Sequence, residues 1–401
     1  MSKCMAVNAG SSSIKYKLFE MPEEKVICSG LVDRVGHEDA TFKIKFGEES
    51  HLETLPILDH AKGVDLILNA LIEYKIVRSL DEIEAVGHRV AQGGKYFKKS
   101  AYLTKDTEDK IEALIPLAPL HNPAHLVGYH AFRKALPNAT QIAVFDSAFH
   151  STMAEEDYVY PIPYEYTEKY DCRRYGAHGT SHQYLSEVGI ERYLSNKADS
   201  KIICCHLGSG ASLCAVRNGK CVATTMGMTP LAGVMMGTRC GDIDPSVVTF
   251  LQEKEGLSPS EMNSILNKKS GFLGVSGVSN DTRDVDKAAL EGNPRAILAM
   301  KLWARRVADF IGQYFVRLGG ADLIIFSGGI GENAPEYREM VLKNIQEALG
   351  IKINWNENKR IRGGLEGVIS ETFSKVIVAV IPTDEEVMIA RDCLKALKGT
   401  L

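Results

Sequence analysis

The stretch "AVNAGSSSIKYKLFE", residues 6–20, constrains the fold more than any other. An apolar start runs into Asn8-Ala9-Gly10-Ser11-Ser12-Ser13, and then Ile14, Tyr16 and Leu18 alternate with Lys15 and Lys17. A period of two marks a strand, so the segment reads as strand, tight turn, strand. That excludes a P-loop, which needs G-x-x-x-x-G-K-S/T opening a helix. Gly10 lets the backbone turn tightly, and Ser11 to Ser13 bring hydroxyls and N–H groups to its tip. Such a concave run of donors suits an anion. A plain polar hairpin with solvated lysines fits the same pattern, so the rest of the chain has to decide.

A second stretch repeats the first. "IICCHLGSGASLCAV", residues 202–216, is again an apolar strand, a Gly/Ser turn and another strand, with Gly208-Ser209 in the place of Gly10-Ser11. Asn218-Gly219 then marks a hairpin turn. One such unit in each half implies a duplicated fold with related halves. Further apolar runs end in polar turns: "IEAVGHRVAQGG" at Arg89, "IAVFDSAFH" at Asp146, "LIIFSGGIGEN" at its glycines and "VIVAVIPTDEE" at its acids. Helical patterns intervene in "AKGVDLILNALIEY", "AILAMKLWARRVADFIGQYF" and "EEVMIARDCLKAL". Alternating strands and helices argue for α/β sheets with ligand residues at strand ends. The irregular, proline-bearing "STMAEEDYVYPIPYEY" places a domain boundary after Phe149, with a second crossing near Pro382. The expected division is 1–149 plus 385–401 against 150–384.

Composition narrows the function classes. The 401 residues are 45% hydrophobic and 24% charged with a formal net charge of −4. A nucleic-acid binder would show a basic domain, and none appears. Nine cysteines form no C-x-x-C pair; Cys204, Cys205, Cys214 and Cys221 read as small core residues of a reducing compartment. No apolar run approaches the ~20 residues of a membrane span, and the start has no signal-peptide core. The cytoplasm is the expected location.

Several motifs carry candidate chemistry. Thr180 and Gln183 have capping-box spacing, which starts a helix there and sets His178 just before its N-terminus, where anions are favoured. His178 and His182 do not make H-E-x-x-H, and neither they nor His121 and His125 are assigned a metal. Asp244-Pro245 reads as an N-cap and first-turn pair, so Asp242 and Asp244 are structural and Arg239 is the residue available to a ligand. Asp281, beside Arg283, is a cap or a ligand contact. Gly329 to Ala334 match G-x-G-x-x-A, but too little chain follows for a dinucleotide domain; the motif is read as a glycine turn that a nucleotide approaches closely. Thr383 and Glu386 have capping-box spacing as well. Glu385 is then left for a metal or for the helix dipole.

In order along the chain, "VNAGSSSIK", "GHRVAQGG", "LAPLHNPAH", "VFDSAFH", "RRYGAHGTSH", "CHLGSGAS", "MGMTPLAGVMMGTRCGDIDP", "SGGIGEN" and "IPTDEEVMIAR" resemble the acetate kinase family. The resemblance covers essentially the whole chain. It implies two duplicated RNase H-like α/β domains around a cleft, the fold shared by acetate and sugar kinases, heat-shock ATPases and actin. It implies that Asn8 and Glu385 hold Mg²⁺, with Mn²⁺ as a substitute. Lys15 and His206, Leu207, Gly208, Ser209 and Gly210 would face the phosphates of ATP. Asp281, Thr282, Arg283, Gly329, Ile330, Gly331, Glu332 and Asn333 would form the nucleotide pocket. Arg89 would grip the carboxylate of acetate, walled by Ala91, Leu120, Ala177 and Pro230. His178 and Arg239 would stabilise the phosphoryl group in flight, with Asp146 the active-site acid. A homodimer is implied by the same analogy.

The implied reaction is reversible, ATP- and Mg-dependent phosphorylation of acetate to acetyl phosphate. A carboxylate acceptor with a pKa near ~4 is already ionised at neutral pH and needs no strong base. It needs cations that let two anions approach, so Asp146 is expected to orient groups rather than take a proton. The chain departs from the family pattern at three places: Ser209 where many members carry Asn, Ala91-Gln92 where they carry Val-His, and Ala177 where they often carry Phe. The alternatives are a propionate or butyrate kinase, a sugar kinase, and an ATPase that binds proteins. The paired arginines speak against a neutral sugar, and motifs running to Arg391 leave no appended peptide-binding domain.

Overall fold

The computed structural model describes residues 1–119 and 121–401. The chain forms two compact units, Met1–Phe149 with Asp384–Leu401, and His150–Thr383. The first holds strands β1 (Ser2–Ala9), β2 (Ser13–Met21), β3 (Lys25–Asp33), β4 (His37–Phe46), β5 (Glu49–Ile57), β6 (Ile83–Val90), β7 (Ala101–Tyr102) and β8 (Thr140–Phe145) in one sheet ordered β5-β4-β3-β2-β1-β6-β8-β7. The second holds β9 (Lys201–Leu207), β10 (Ala211–Arg217), β11 (Lys220–Thr224), β12 (Leu323–Ser327), β13 (Gly367–Val368) and β14 (Ile377–Val380), ordered β11-β10-β9-β12-β14-β13.

Each sheet contains the same motif. Three antiparallel strands, β3-β2-β1 or β11-β10-β9, are followed by two parallel ones, β6-β8 or β12-β14. The first hairpin closes with Gly10 N–H donating to Ser13 O at 2.7 Å, the second with Gly208 N–H donating to Gly210 O at 3.1 Å. Asn218 and Gly219, both at positive φ, make the turn into β11, the geometry that suits the twist of a two-residue hairpin. The duplication read from two Gly/Ser turns is thus a duplication of sheet topology. The antiparallel extension β4–β5 carries no chemical motif and had no forecast from sequence.

The alternation in β2 sends Ile14, Tyr16 and Leu18 into a core with Val7, Ile67, Leu71 and Phe132, and leaves Lys15 exposed. In the second unit the helix Pro294–Leu318 buries Trp303, Val307, Ile311 and Tyr314 at helical spacing against Ile203, Leu213 and Phe326. Burying each such side chain stabilises the fold by about 1.5–3 kcal/mol. Asn293 caps this helix, accepting from the N–H groups of Arg295 and Ala296, and Gly319 at φ +65° ends it.

Both capping boxes read from sequence are corrected. The helix Gly179–Tyr193 has His178 as its N-cap residue, at φ +59°, with no side-chain cap. Thr180 is therefore already inside the first turn, and Gln183 donates to Glu187 instead. The helix Glu385–Leu397 is capped by Asp384, which accepts from Val387 N–H. Glu386 is turned instead to the lysines of β2, because two ammonium groups outcompete one backbone N–H for its carboxylate. The "SGGIGEN" turn is a short helix, Gly328–Asn333, directly after β12. Asp242 and Asp244 are structural, accepting from Gly233 N–H at 2.7 Å and Ser246 N–H at 2.9 Å. All nine cysteines are free thiols. Among the described residues no helix is long and apolar enough to cross a membrane.

Candidate active site

In the first unit the strand ends assemble an ionic cluster. Asn8 lies near the end of β1, opposite Lys15 of β2. Arg89 lies near the end of β6, and Asp146 directly follows β8. Arg89 donates through Nε to Asp146 Oδ2 at 3.0 Å, again through Nη2 to the same oxygen, and through Nη1 to Asn8 Oδ1 at 3.4 Å. Asp146 is wholly buried. Glu385 Oε2 stands 4.0 Å from Arg89 Nε.

A glycine explains how a helix from the far end of the sequence reaches this cluster. The helix Glu385–Leu397 packs on β1 and β6. A Cβ on Gly87 would fall 2.3 Å from Ile389 Cγ2, so only glycine admits the helix this close. Arg89 shares the face of β6 with Gly87, and Glu385 lies one turn before Ile389. Seating the helix on Gly87 therefore presents Glu385 to Arg89.

The two adjacent acids are set apart by their surroundings. Burial, with Asp146 and Glu386 nearby, pushes Glu385 up to about 7 against the pull of Arg89. Burial would raise Glu386 too, but Lys15 and then Lys17 hold it down at about 2. Glu386 pairs with Lys15 and, at 3.2 Å, with Lys17, which also meets Asp384 at 2.9 Å. Burial opposes the charge of Arg89, yet Asp146 and Glu385 raise its pKa above the ordinary value.

In the second unit His178 and Arg239 meet at Gly210. A Cβ on Gly210 would lie 3.2 Å from Arg239 Nη2 and 3.6 Å from His178 Nε2. Ser212 Oγ lies 2.9 Å from His178 Nδ1 and 2.7 Å from His182 Nε2, fixing the first ring with Nε2 toward Gly210. The ring of His206 lies 4.3 Å from that of His178, tilted by 34°, and Ser181 Oγ lies 2.8 Å from His206 Nδ1. Arg239 donates to Pro230 O at 2.7 Å, and burial lowers its pKa. Ser212 and Ser181 escaped the sequence reading, since a serine inside an apolar strand or helix carries no signal of its own.

A pocket of about 610 Å³ in the same unit brings together Gly208, Ser209, Asp281, Thr282, Arg283, Gly329, Ile330 and Asn333. Asn280, Asp286, Ala334 and Glu336 also line it and were not forecast. Asp281 caps the helix Thr282–Leu290 and pairs with Arg283, which holds it down at about 2. Gly331 and Glu332 serve the fold instead: Gly331 O accepts from Arg338 at 2.8 Å, and Glu332 accepts from Gly328 N–H at 2.8 Å. Leu207 is buried at the end of β9. Of the expected acyl wall, Ala91 belongs to the first unit, in a loop pinned by Gly93 N–H donating to Ser147 Oγ at 2.9 Å. Ala177 and Pro230 belong to the second, Ala177 buried in its core. Leu120 lies outside the described residues.

The repeated sheet order, the polar hairpin in each unit, and a glycine-lined pocket define a duplicated α/β fold of the phosphate-handling kind. The chain belongs to the acetokinase family, whose model matches residues 3–391. It is 50% identical to an acetate kinase of Bacillus subtilis over 99% of this chain and 100% of that one. A propionate kinase of Citrobacter rodentium is 48% identical over 98% of this chain and 96% of its own length. The crystal structure of Porphyromonas gingivalis acetate kinase superposes with a TM-score of 0.92 at 45% identity, covering 99% of this chain and all of that one.

Proposed function

We propose that the chain is an acetate kinase, catalysing the reversible ATP-dependent phosphorylation of acetate to acetyl phosphate. The observation that carries this reading is Arg89, held at the strand ends by Asp146 and Asn8 with Glu385 4.0 Å away. Its guanidinium has more N–H groups than those two partners use, in a fork that matches a carboxylate. Acetate arrives ionised, so Asp146 acts by fixing Arg89 and not as a base. His178 and Arg239 donate to the phosphoryl group in transfer, where each such donor is worth about 3–4 kcal/mol. The pocket that Gly208, Ser209, Asp281 and Gly329 line takes the nucleotide.

The hard oxygen donors Asn8 and Glu385 fit a divalent magnesium ion. Glu385 is buried, with Asp146 and Glu386 nearby and Arg89 as its main counter-charge, so a dication would offset the remaining acid charge around it. When bound, the ion would neutralise charge on the phosphate oxygens. Action as a homodimer in the cytoplasm is part of the same proposal and rests on family resemblance. A test is the reverse reaction: purified protein given acetyl phosphate, ADP and Mg²⁺ should form ATP, and Arg239→Ala should lower kcat at least a hundredfold with a smaller change in KM. Absence of ATP formation would overturn the reading; an Arg239→Ala variant with full kcat would remove that residue from it.

A further inference from the structure

Three soft donors outside the proposed catalytic residues converge in the interior of the second unit. His150 Nδ1 lies 3.3 Å from Cys221 Sγ and 4.0 Å from Cys214 Sγ, and the two sulfurs are 3.5 Å apart. All three residues are buried, at 0% exposure for His150 and Cys214 and 1% for Cys221. From this geometry we infer a site for a thiophilic d¹⁰ metal cation, ligated by His150 Nδ1, Cys214 Sγ and Cys221 Sγ.

The spacing is what such an ion requires. A metal about 2.1–2.3 Å from each donor, the usual metal–nitrogen and metal–sulfur lengths, holds its ligand atoms about 3.5–4.0 Å apart. The three separations, 3.3, 3.5 and 4.0 Å, are within a few tenths of an ångström of these. A disulfide needs its sulfurs at about 2.05 Å, so at 3.5 Å the two are unbonded thiols. Cys214 lies on β10 and Cys221 on β11, diagonal across a bulged pair in which Val216 faces Cys221. Their side chains share one face without being direct partners.

The imidazole is also oriented as a ligand. His150 Nε2 lies 3.0 Å from Ala177 O, a group that can only accept, so Nε2 carries the proton and Nδ1 presents its lone pair to the sulfurs. A histidine whose second nitrogen donates to a carbonyl is the usual support behind a metal ligand. Thr152 Oγ1 donates to Cys221 O at 2.8 Å and ties the same turn to β11.

Among the described residues no fourth His, Cys, Asp or Glu donor joins the cluster. Two thiolates balance a dication, which favours Zn(II) with one further ligand; a closed set of three soft donors suits Cu(I). On binding, two S–H bonds are replaced by two metal–sulfur bonds and two protons leave to solvent, with no change of oxidation state. The site is one hydrogen bond from Ala177, the residue before His178, so occupancy would hold fixed the ring that supports that segment.

The test uses the full chain, reduced and stripped with chelator. Zn(II) and, separately, Cu(I) are titrated against chromophoric chelators, and Co(II) serves as an optical probe for thiolate ligation. The expected result is one tight ion per chain, thiolate-to-cobalt charge-transfer absorption, and release of two protons. Cys214→Ser and Cys221→Ser should each weaken binding at least tenfold, while Cys172→Ser with Cys240→Ser leaves it intact. X-ray absorption on the wild-type protein should give two sulfurs and one nitrogen, with a fourth light ligand for Zn(II) and none for Cu(I). Binding unchanged in Cys214→Ser and Cys221→Ser, a wild-type shell lacking two sulfurs, or no stoichiometric ion at all would overturn the inference.

Discussion

Replacing Gly87 by alanine tests how the C-terminal helix delivers Glu385. The new Cβ would lie 2.3 Å from Ile389 Cγ2 and 2.8 Å from Cys393 Sγ. Carbon atoms rest at about 3.5–4.0 Å, so the helix must retreat by about 1 Å or its side chains must leave their rotamers. Overpacking of this kind costs about 1–3 kcal/mol. The same retreat moves Glu385, one turn away, off its 4.0 Å approach to Arg89. Gly87→Ala should therefore lower the urea midpoint and raise the Mg²⁺ concentration for half-maximal rate together. Ile389→Ala removes the clashing Cγ2, so the double variant should regain part of the Mg²⁺ response even though the cavity costs stability of its own. The reasoning fails if Gly87→Ala matches wild type in both readouts, or if Ile389→Ala restores nothing.

Glu385 and Glu386 should separate by role. Glu385→Gln should shift the Mg²⁺ dependence of the rate, whereas Glu386→Gln should cost about 1 kcal/mol of stability by removing the partner of half-exposed Lys15 and one of the two acids that Lys17 meets. Because its folded pKa is depressed from 4.5 to about 2, the Glu386 contribution is present above pH 4.5 and lost as pH falls toward 2, so the two denaturation curves should converge there. Burial holds His88 neutral, its pKa lowered from 6.5 to about 4; stability should accordingly fall as pH drops from 6.5 to 4, and His88→Gln should flatten that fall in equilibrium denaturation. The family resemblance implies that Ala91 walls the acyl end of the substrate with a small side chain, and one methylene changes transition-state binding by only about 10–200-fold. Propionate should be used within about tenfold of acetate in kcat/KM, with Ala91→Val cutting propionate more than acetate; rejection of propionate by a hundredfold with no effect of Ala91→Val would contradict this.

The sequence was most legible where one local rule governs. Period-two alternation around Lys15 and the Asn218-Gly219 turn need only backbone geometry, and both stand as read. So does Asp244 before Pro245, a cap settled within four residues. The capping boxes failed because spacing does not reveal a competitor: Glu386 has two lysines from a strand more than 360 residues away in the chain. His178 sits at positive φ, and the chain entering the helix Gly179–Tyr193 is held by Gly227 O, which accepts from Tyr175 and Gly176, another long-range tie. Gly87 lies inside an apolar strand and shows its meaning only once Ile389 is packed on it. Cys214 and Cys221 read as core thiols, which they are, but their convergence with His150 appears only once β10 and β11 pair and the turn that carries His150 packs on them.

The most direct measurement of the central claim is acyl phosphate formation trapped as hydroxamate, with ATP and Mg²⁺, across formate, acetate, propionate and butyrate. Wild-type protein should give acetyl hydroxamate in step with ADP, propionyl hydroxamate at a comparable rate and little butyryl product. Arg89→Ala should abolish the dependence on acid. ADP release without hydroxamate, indifferent to which acid is present, would contradict the assignment of Arg89 to a carboxylate and of the chain to carboxylate phosphorylation.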